Sequence, residues 1–494
     1  MTVLFDTNVL VELEGPYKAL STTIADMVRT AHEVECDIVV HPSQIDDLNR
    51  DADLNRRTIQ LSRIKQYQML INPPTPSDFD LMNLGWSQNN DHDRIDNLLL
   101  FAVKRSAVRF LVTEDRRMHS KARKAKISER VFFVGEFLEY LKAQKHTGIR
   151  PSACVAINTK FLYELDVDSP FFDSLRNSYE GFNDWYNTCA EKRRQAWVVK
   201  DGDEIGALCI FKEEQDETVT DDGVVLRGKI LKLCTFKVAD VGKKLGERLL
   251  FVAFQAALDG RFDCVYLHVA EEGQDHLLEL LDDNGFEFIG KYKGDSVYVK
   301  DMRKPSGCGD AEPEKRLAYA IKHYPYVADD ANVRKFVVPI QPNFHDRLFP
   351  DLKAQMSLFD DADGLTSESN AIKKAYLCKS KSTLMRPGDL VFFYRSKDAK
   401  SIRCVGVVED TLRSVVPEEL AAFVSKRTVF SRSEIEEMTK TGPALAVLFR
   451  VVRYFKRPIE SAVIQKHGIA WPIQSIVTLP DEAYMSLFKD LLNE

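Results

Sequence analysis

The first 145 residues alternate short apolar runs with helical patterns, and this rhythm restricts the possible folds more than any other feature of the chain. The runs are VLFD, DIVVHP, FLVTED and VFFVG. Between them, apolar residues recur three and four positions apart, the spacing of an amphipathic helix. Strands separated by helical crossovers pair in parallel, so the rhythm predicts a parallel sheet with helices on its faces. Two of the runs lead to an aspartate. Asp6 follows Val3-Leu4-Phe5, and Asp115 follows Phe110-Leu111-Val112 after Thr113 and Glu114. Ligands of open parallel sheets gather beyond the carboxyl ends of the strands, where both aspartates stand.

Further carboxylates fall nearby in the pattern. Asp46 and Asp47 follow the run IVV in HPSQIDDL, and Asp93 and Asp96 lie three apart in DHDRIDNLLLFAVK, on one helical face. Carboxylates drawn to one place repel one another unless a cation neutralises them. An oxygen-only donor set without His or Cys suits Mg²⁺ or Mn²⁺ rather than zinc. Lys104, Arg105 and Arg109 precede Asp115, and Arg116, Arg117, Lys121, Arg123, Lys124, Lys126 and Arg130 follow it within fifteen positions. A basic strip beside an acidic pocket suits a phosphate backbone.

These motifs resemble the PIN-domain ribonucleases: Asp6 in FDTNVL, Asp47 before Leu48, Asp96 in DNLLLFA, and Thr113-x-Asp115 in LVTED. The family usually has glutamate where this chain offers Asp47. Taken over residues 1–147, the resemblance implies metal-dependent hydrolysis of RNA phosphodiester bonds. It assigns catalysis to Asp6, Asp47, Asp96 and Asp115, the Mg²⁺ or Mn²⁺ to Asp6, Asp96 and Asp115 with Asp93, and orientation of the carboxylates to Asn8 and Thr113. Arg116, Arg117, Lys121 and Arg123 would meet the RNA. PIN domains often act as toxins of toxin–antitoxin pairs or in phage defence, so the resemblance also implies an inhibitory protein partner, and such domains commonly form homodimers.

At 494 residues the chain predicts about three domains. Two joints rich in Gly, Pro and Ser agree, near His146–Pro151 and at Lys304–Gly309. Net charge is −7, but it is uneven: residues 1–150 hold 21 basic and 21 acidic residues, 151–305 hold 20 and 29, and 306–494 hold 27 and 25. Nucleic-acid contacts are therefore expected at the two ends. The nine cysteines are scattered without a CxxC pair, which argues against zinc ribbons and for buried thiols. No apolar run approaches a membrane span, and the N-terminus lacks the basic flank of a signal peptide. The expectation is a soluble, cytoplasmic, multidomain α/β protein.

Residues 151–304 read as helices, then strands (AWVVKDG, EIGALCIFKEE, GKILKLCTFKV), then a long helix, then CVYLHVA and FEFIGKYK. The loop Val241-Gly242-Lys243-Lys244-Leu245-Gly246 precedes the long helix, where exposed amides can hold a pyrophosphate. With the closing Asn284-Gly285-Phe286 this resembles the GNAT acetyltransferases, which implies acetyl-coenzyme A bound by Val241, Gly242, Lys243, Lys244 and Gly246. Of the family's loop signature only Gly246 is matched, and Leu281 stands where a tyrosine often donates the proton to the leaving thiolate.

Residues 330–494 read mainly as strands, and Pro387-Gly388-Asp389 turns into Leu390–Arg395. This resembles PUA-like barrels of the ASCH and EVE kind and predicts a mainly-β barrel that binds nucleic acid. Tyr394 and Trp471 would stack bases, while Arg395 and Arg403 would meet phosphates. Three readings follow: a metal-dependent ribonuclease, an acetyl-coenzyme A-dependent N-acetyltransferase brought to RNA or ribosomes by its flanking domains, and an RNA-binding scaffold without catalysis.

Overall fold

A five-stranded parallel sheet opens the chain: β1 (Thr2–Phe5), β2 (Asp37–Val40), β3 (Gln68–Met69), β4 (Phe110–Val112) and β5 (Val131–Phe132), in the order β3-β2-β1-β4-β5. Alternation along β1 sends Val3 and Phe5 into one apolar cluster and Leu4 into another, so helices cover both faces. The strand order reverses between β1 and β4, the place where a parallel sheet leaves a crevice at its carboxyl edge. The computed structural model describes the chain except for residues 16–19, 146–156, 202–203, 240–241, 271–273, 310, 351, 353–370, 383 and 494. The joint expected near His146–Pro151 lies outside the described residues. The second joint, Lys304–Gly309, carries no regular secondary structure.

The chain forms two compact units, Met1–Ile149 with Val416–Thr439, and Arg150–Val415 with Lys440–Glu494. The first unit thus includes two short helices, Pro417–Phe423 and Arg432–Thr439, from far along the sequence. Between them Lys426 pairs with Glu136 at 2.8 Å and lies over the Phe132 ring at 4.9 Å, Arg427 reaches Glu129 at 3.6 Å, and the Ser425 hydroxyl donates to the Glu129 carbonyl.

The second unit holds two mixed sheets. Its seven-stranded sheet comprises β6 (Ile157–Phe161), β7 (Gln195–Asp201), β8 (Glu204–Thr218), β9 (Val225–Val238), β10 (Cys264–Val269), β11 (Glu287–Tyr292) and β12 (Asp295–Asp301), ordered β11-β12-β10-β9-β8-β7-β6. Only β9 and β10 pair in parallel. Gly285 has φ +70°, and a Cβ there would lie 2.5 Å from the Ile321 carbonyl oxygen and 2.8 Å from Lys300 Nζ, so glycine is required by both conformation and space.

The six-stranded sheet comprises β13 (Lys335–Ile340), β14 (Lys373–Cys378), β15 (Leu390–Arg395), β16 (Ser401–Ser414), β17 (Ala444–Glu460) and β18 (Val477–Thr478), ordered β14-β17-β16-β15-β13-β18. Among the described residues it is open, which corrects the expected barrel. The edge strands β14 and β18 do not pair, and β18 is only two residues long. One sheet face packs Phe392 and Phe455 against Tyr484 and Phe488. Phe349, Phe393 and Phe449 form an aromatic cluster elsewhere on the same sheet. The two sheets meet through Arg450, fully buried, which donates to Glu409 at 3.0 Å and to Asn284 Oδ1 at 2.8 Å. No described helix is long and apolar enough to cross a membrane.

Candidate functional site

Asp6 and Thr113 sit side by side because β1 and β4 are neighbours in register, Phe5 opposite Val112. Asp6 N donates to the Val112 carbonyl at 2.9 Å, carrying the pairing one residue beyond the strands. Asp6 then caps the helix Thr7–Glu14, and its Oδ1 accepts from Thr7 N at 2.6 Å. The buried Thr113 hydroxyl donates to Asp6 Oδ2 at 2.6 Å. The same Oγ1 accepts from Asp115 N at 3.0 Å and from Asn8 Nδ2 at 3.3 Å. Thr113 is therefore the hub that orients Asp6, and Asn8 helps to orient Thr113.

Asp96 and Asp115 lie close enough to act on Asp6 electrostatically. Burial raises Asp6 to about 7; the Thr113 hydrogen bond opposes this, and the charges of Asp96 and Asp115 add to it. Asp96 rises to about 6 for similar reasons: burial first, opposed by Lys121, with Asp115 and Asp93 adding. Asp115 caps the helix Arg116–Lys124, accepting from Arg117 N at 2.7 Å and Arg117 Nη2 at 3.1 Å. Among the described residues, no group of three or more His, Cys, Asp or Glu side chains is arranged to hold a metal ion. Asp115 is turned to its own helix and Asp96 toward Lys121.

The other sequence candidates have different partners. Asp93 lies 3.2 Å from Lys121 Nζ and accepts from Asn89 N at 3.1 Å. Burial works against its charge, yet these contacts hold its carboxyl below the ordinary value. Asp47 pairs with His92 at 3.2 Å and Arg50 at 3.8 Å. Lys121 is buried and stands 3.2 Å from Asp93 and 3.7 Å from Asp96, so it serves the acidic cluster rather than a solvent-facing phosphate strip. Arg117 is exposed at the helix start; Arg116 and Arg123 are half-buried and have partners of their own.

Sequence reasoning missed two supports. His119 stacks on Phe133 at 3.8 Å, and its Nε2 lies 3.0 Å from the Thr113 carbonyl; burial pushes it down to about 4, so it is a neutral prop. Gln44 is fully buried and its Nε2 donates to the Phe5 carbonyl at 2.7 Å, fixing the end of β1. The run His41-Pro42-Ser43-Gln44 after a strand was the available signal, since a polar cluster at a strand end needs partners.

In the second unit, Val241 lies outside the described residues. Gly242 is buried, Lys243 and Lys244 are half-buried, and Lys244 stands at φ +54° before the helix Leu245–Asp259. A Cβ at Gly246 would meet the Leu280 side chain at 3.0 Å. In the third stretch two expectations are corrected. Tyr394 is 3% exposed and packed against Trp471, so it has no free face for a base. Arg395 is held by Asp346 and Asp398 and has no fork left for a phosphate. Arg403 is half-buried with its Nε unpartnered, and Trp471 is 41% exposed.

No family model matches the chain, and no curated protein matches it. Solved structures are similar to parts of it. The ASCH protein of Zymomonas mobilis is 18% identical, with 31% of this chain and 92% of that one covered at a TM-score of 0.24. An IAA acetyltransferase from Bacillus cereus is 15% identical, with 30% and 100% covered at 0.23. A GNAT family acetyltransferase from Elizabethkingia anophelis with acetyl-CoA bound is 12% identical, with 30% and 98% covered at 0.21. The PIN resemblance stands on the residues of this chain alone.

Proposed function

We propose that the N-terminal unit hydrolyses phosphodiester bonds of RNA with the aid of a divalent cation; its ligands would be Asp6, Asp96 and Asp115, and Asp96 and Asp115 would have to leave Lys121 and Arg117 to join Asp6 on it. The observation that supports this reading is that buried Asp6 and half-buried Asp96, beyond the carboxyl ends of a parallel sheet, are both raised toward neutrality. Perturbed acids gathered in a crevice mark functional sites more often than structural ones. The donor set is oxygen-only, which fits Mg²⁺ or Mn²⁺. A cation held by these carboxylates would supply an activated water and offset charge on the phosphate. The chain's own residues prepare the place. Thr113 fixes the carboxylate plane of Asp6, Asn8 and Asp115 N fix Thr113, and Lys121 balances Asp93 and Asp96. Arg117, exposed but paired with Asp115 at 3.1 Å, would meet the phosphate backbone on leaving that carboxylate.

The test is cleavage of labelled total RNA in Mn²⁺, Mg²⁺ or EDTA by wild type and by Asp6→Asn/Asp115→Asn protein. Discrete metal-dependent products lost in the double variant support the reading. Products that persist in EDTA, or in the double variant, end it.

A second reading, acyl transfer in the second unit, has one observation in its favour. The parallel strands β9 and β10 pair from Ile230/Cys264 to Leu233/Leu267 and then part, β9 continuing to Val238 along β8 alone. The gap opens beside the start of the helix Leu245–Asp259, where an extended thiol cofactor can lie between separated strand backbones. Coenzyme A binding measured by calorimetry tests it: saturable heat supports the reading, and no heat at millimolar ligand removes it. In either reading, the six-stranded sheet supplies RNA contact through Trp471 and Arg403.

A further inference from the structure

The seven-stranded sheet carries a second cluster of ionisable groups, independent of the acidic site. Pairing sets Lys212 of β8 opposite Lys232 of β9, and Lys232 opposite Tyr266 of β10. Glu214 and His268 lie two residues further along β8 and β10 on the same face. A register shift between Ile210 and Phe211 on β8 leaves Cys234 as the extra residue of β9. Arg194 Nη1, at the start of β7, reaches the Cys234 sulfur at 3.6 Å.

The accounting of partners is uneven. Glu214 is the near carboxylate, and it is already occupied: Lys212 pairs with it, and Tyr266 OH donates to it at 2.6 Å. Lys232 Nζ lies over the Tyr266 ring at 5.1 Å, with the charges of Glu214 and Glu217 acting on it from further off, and Arg194 Nη1 reaches a sulfur. His268 Nε2 is buried without a hydrogen-bond partner, its ring set between Tyr266 at 5.7 Å and Tyr292 at 5.2 Å. Burial lowers His268 to about 4 and lowers Lys232 as well. Half-buried donors without acceptors cost folding free energy unless a ligand or water meets them. Two cations and an imidazole left over beside a spent carboxylate form a complement to negative charge. Arg194 stands three strand spacings of ~4.8 Å from β10, but its Nη1 reaches across β8 to Cys234 on β9, two residues from Lys232, and this brings the guanidinium to the strand beside His268.

We propose that this face binds the anionic group, carboxylate or phosphate, of a low-molecular-weight ligand between Lys232, Arg194 and His268. The site does not rest on the nuclease reading, since none of its residues belongs to the N-terminal unit. The test follows the His268 ring resonance of the full-length protein by NMR during titration with inorganic phosphate and, separately, acetate. The expected result is a saturable shift of His268, with apparent affinity ~10-fold weaker in Lys232→Gln, the loss of one charge-assisted contact. Lys232→Arg keeps the charge and keeps the binding, which separates a lost contact from a lost fold. A shift with phosphate alone assigns the site to phosphorylated ligands, and a shift with acetate assigns it to carboxylates. A His268 resonance unmoved by either anion at tens of millimolar, or moved equally in Lys232→Gln, overturns the proposal.

Discussion

Asp6 in the first unit and Lys300 in the second are both buried charged groups, and they are buried for opposite purposes. Lys300 Nζ donates to three carbonyls, of Asn284 at 2.8 Å, Ile321 at 3.3 Å and Lys322 at 2.6 Å. Its three protons are all used, and it ties the Asn284-Gly285 turn to the helix Pro313–Lys322. Asp6 has Thr7 N and the Thr113 hydroxyl, but its charged neighbours are Asp96 and Asp115, which repel it. A buried group whose hydrogen-bonding capacity is filled by the fold is structural. Like charges act on both groups, Arg450 and Lys322 on Lys300, so the filled hydrogen bonds of Lys300 are what set the two apart. Lys232 differs from both: it lies against an aromatic ring, while the charges of Glu214 and Glu217 favour its own.

The contrast is broken most directly at the chemistry. Asp6→Asn with Asp115→Asn should lower RNA cleavage by about 1,000-fold, the rate equivalent of several kcal/mol of charge stabilisation, measured as initial rates in Mn²⁺. Lys300→Met should leave cleavage per folded molecule unchanged yet cost about 2–4 kcal/mol of stability, because three buried carbonyls lose their donor; denaturant unfolding measures it. The pH dependence sharpens the comparison further. Asp6 has an ordinary value near 3.8 and about 7 in the folded chain. Between those pH values the folded chain keeps a proton that the unfolded chain has lost. Stability in EDTA therefore falls as pH rises from about 4 to about 7 and levels off above. Asp6→Asn should flatten that slope, raising stability at pH 8 by about 1–4 kcal/mol; a melting series across pH reads it.

Smaller effects are expected where charges are already paired. Lys426→Ala removes a nearly buried partner of Glu136 and should cost about 2 kcal/mol, seen as faster amide exchange over Ser128–Phe132. Tyr394→Phe should change RNA affinity by less than about 0.5 kcal/mol, since the ring is buried, whereas Trp471→Ala should weaken it by about 1–3 kcal/mol, the range for a stacked base. Filter binding with both variants compares them.

The parallel sheet of the first unit was legible because four of its five strands are short apolar runs with helices after them; β3, the exposed pair Gln68–Met69, gave no such run. Asp6, Thr113 and Asp115 were legible because position at a strand end follows directly from that run. Lys121 was misread because its helix is basic all along; only the fold reveals that one lysine of that helix turns inward to Asp93 and Asp96. The barrel was misread because strands announce themselves locally, while closure depends on whether β14 and β18 meet. Tyr394 was misread because its side of the strand is not left to solvent: Phe392 and Tyr394 share one apolar cluster, and Phe393 packs with Phe349 and Phe449, so all three are buried. The attachment of Val416–Thr439 to the first unit had no sequence signal, since Lys426 and Glu136 are 290 residues apart.

The most direct test of the central claim is Mn²⁺ binding to the full-length protein, followed by electron paramagnetic resonance, in wild type and in Asp6→Asn. The account predicts a saturable Mn²⁺ site in wild type that is lost or strongly weakened in the variant, while the variant's melting in EDTA at pH 8 is no lower than wild type's. Equal Mn²⁺ binding by the two proteins, or none by either, would contradict it.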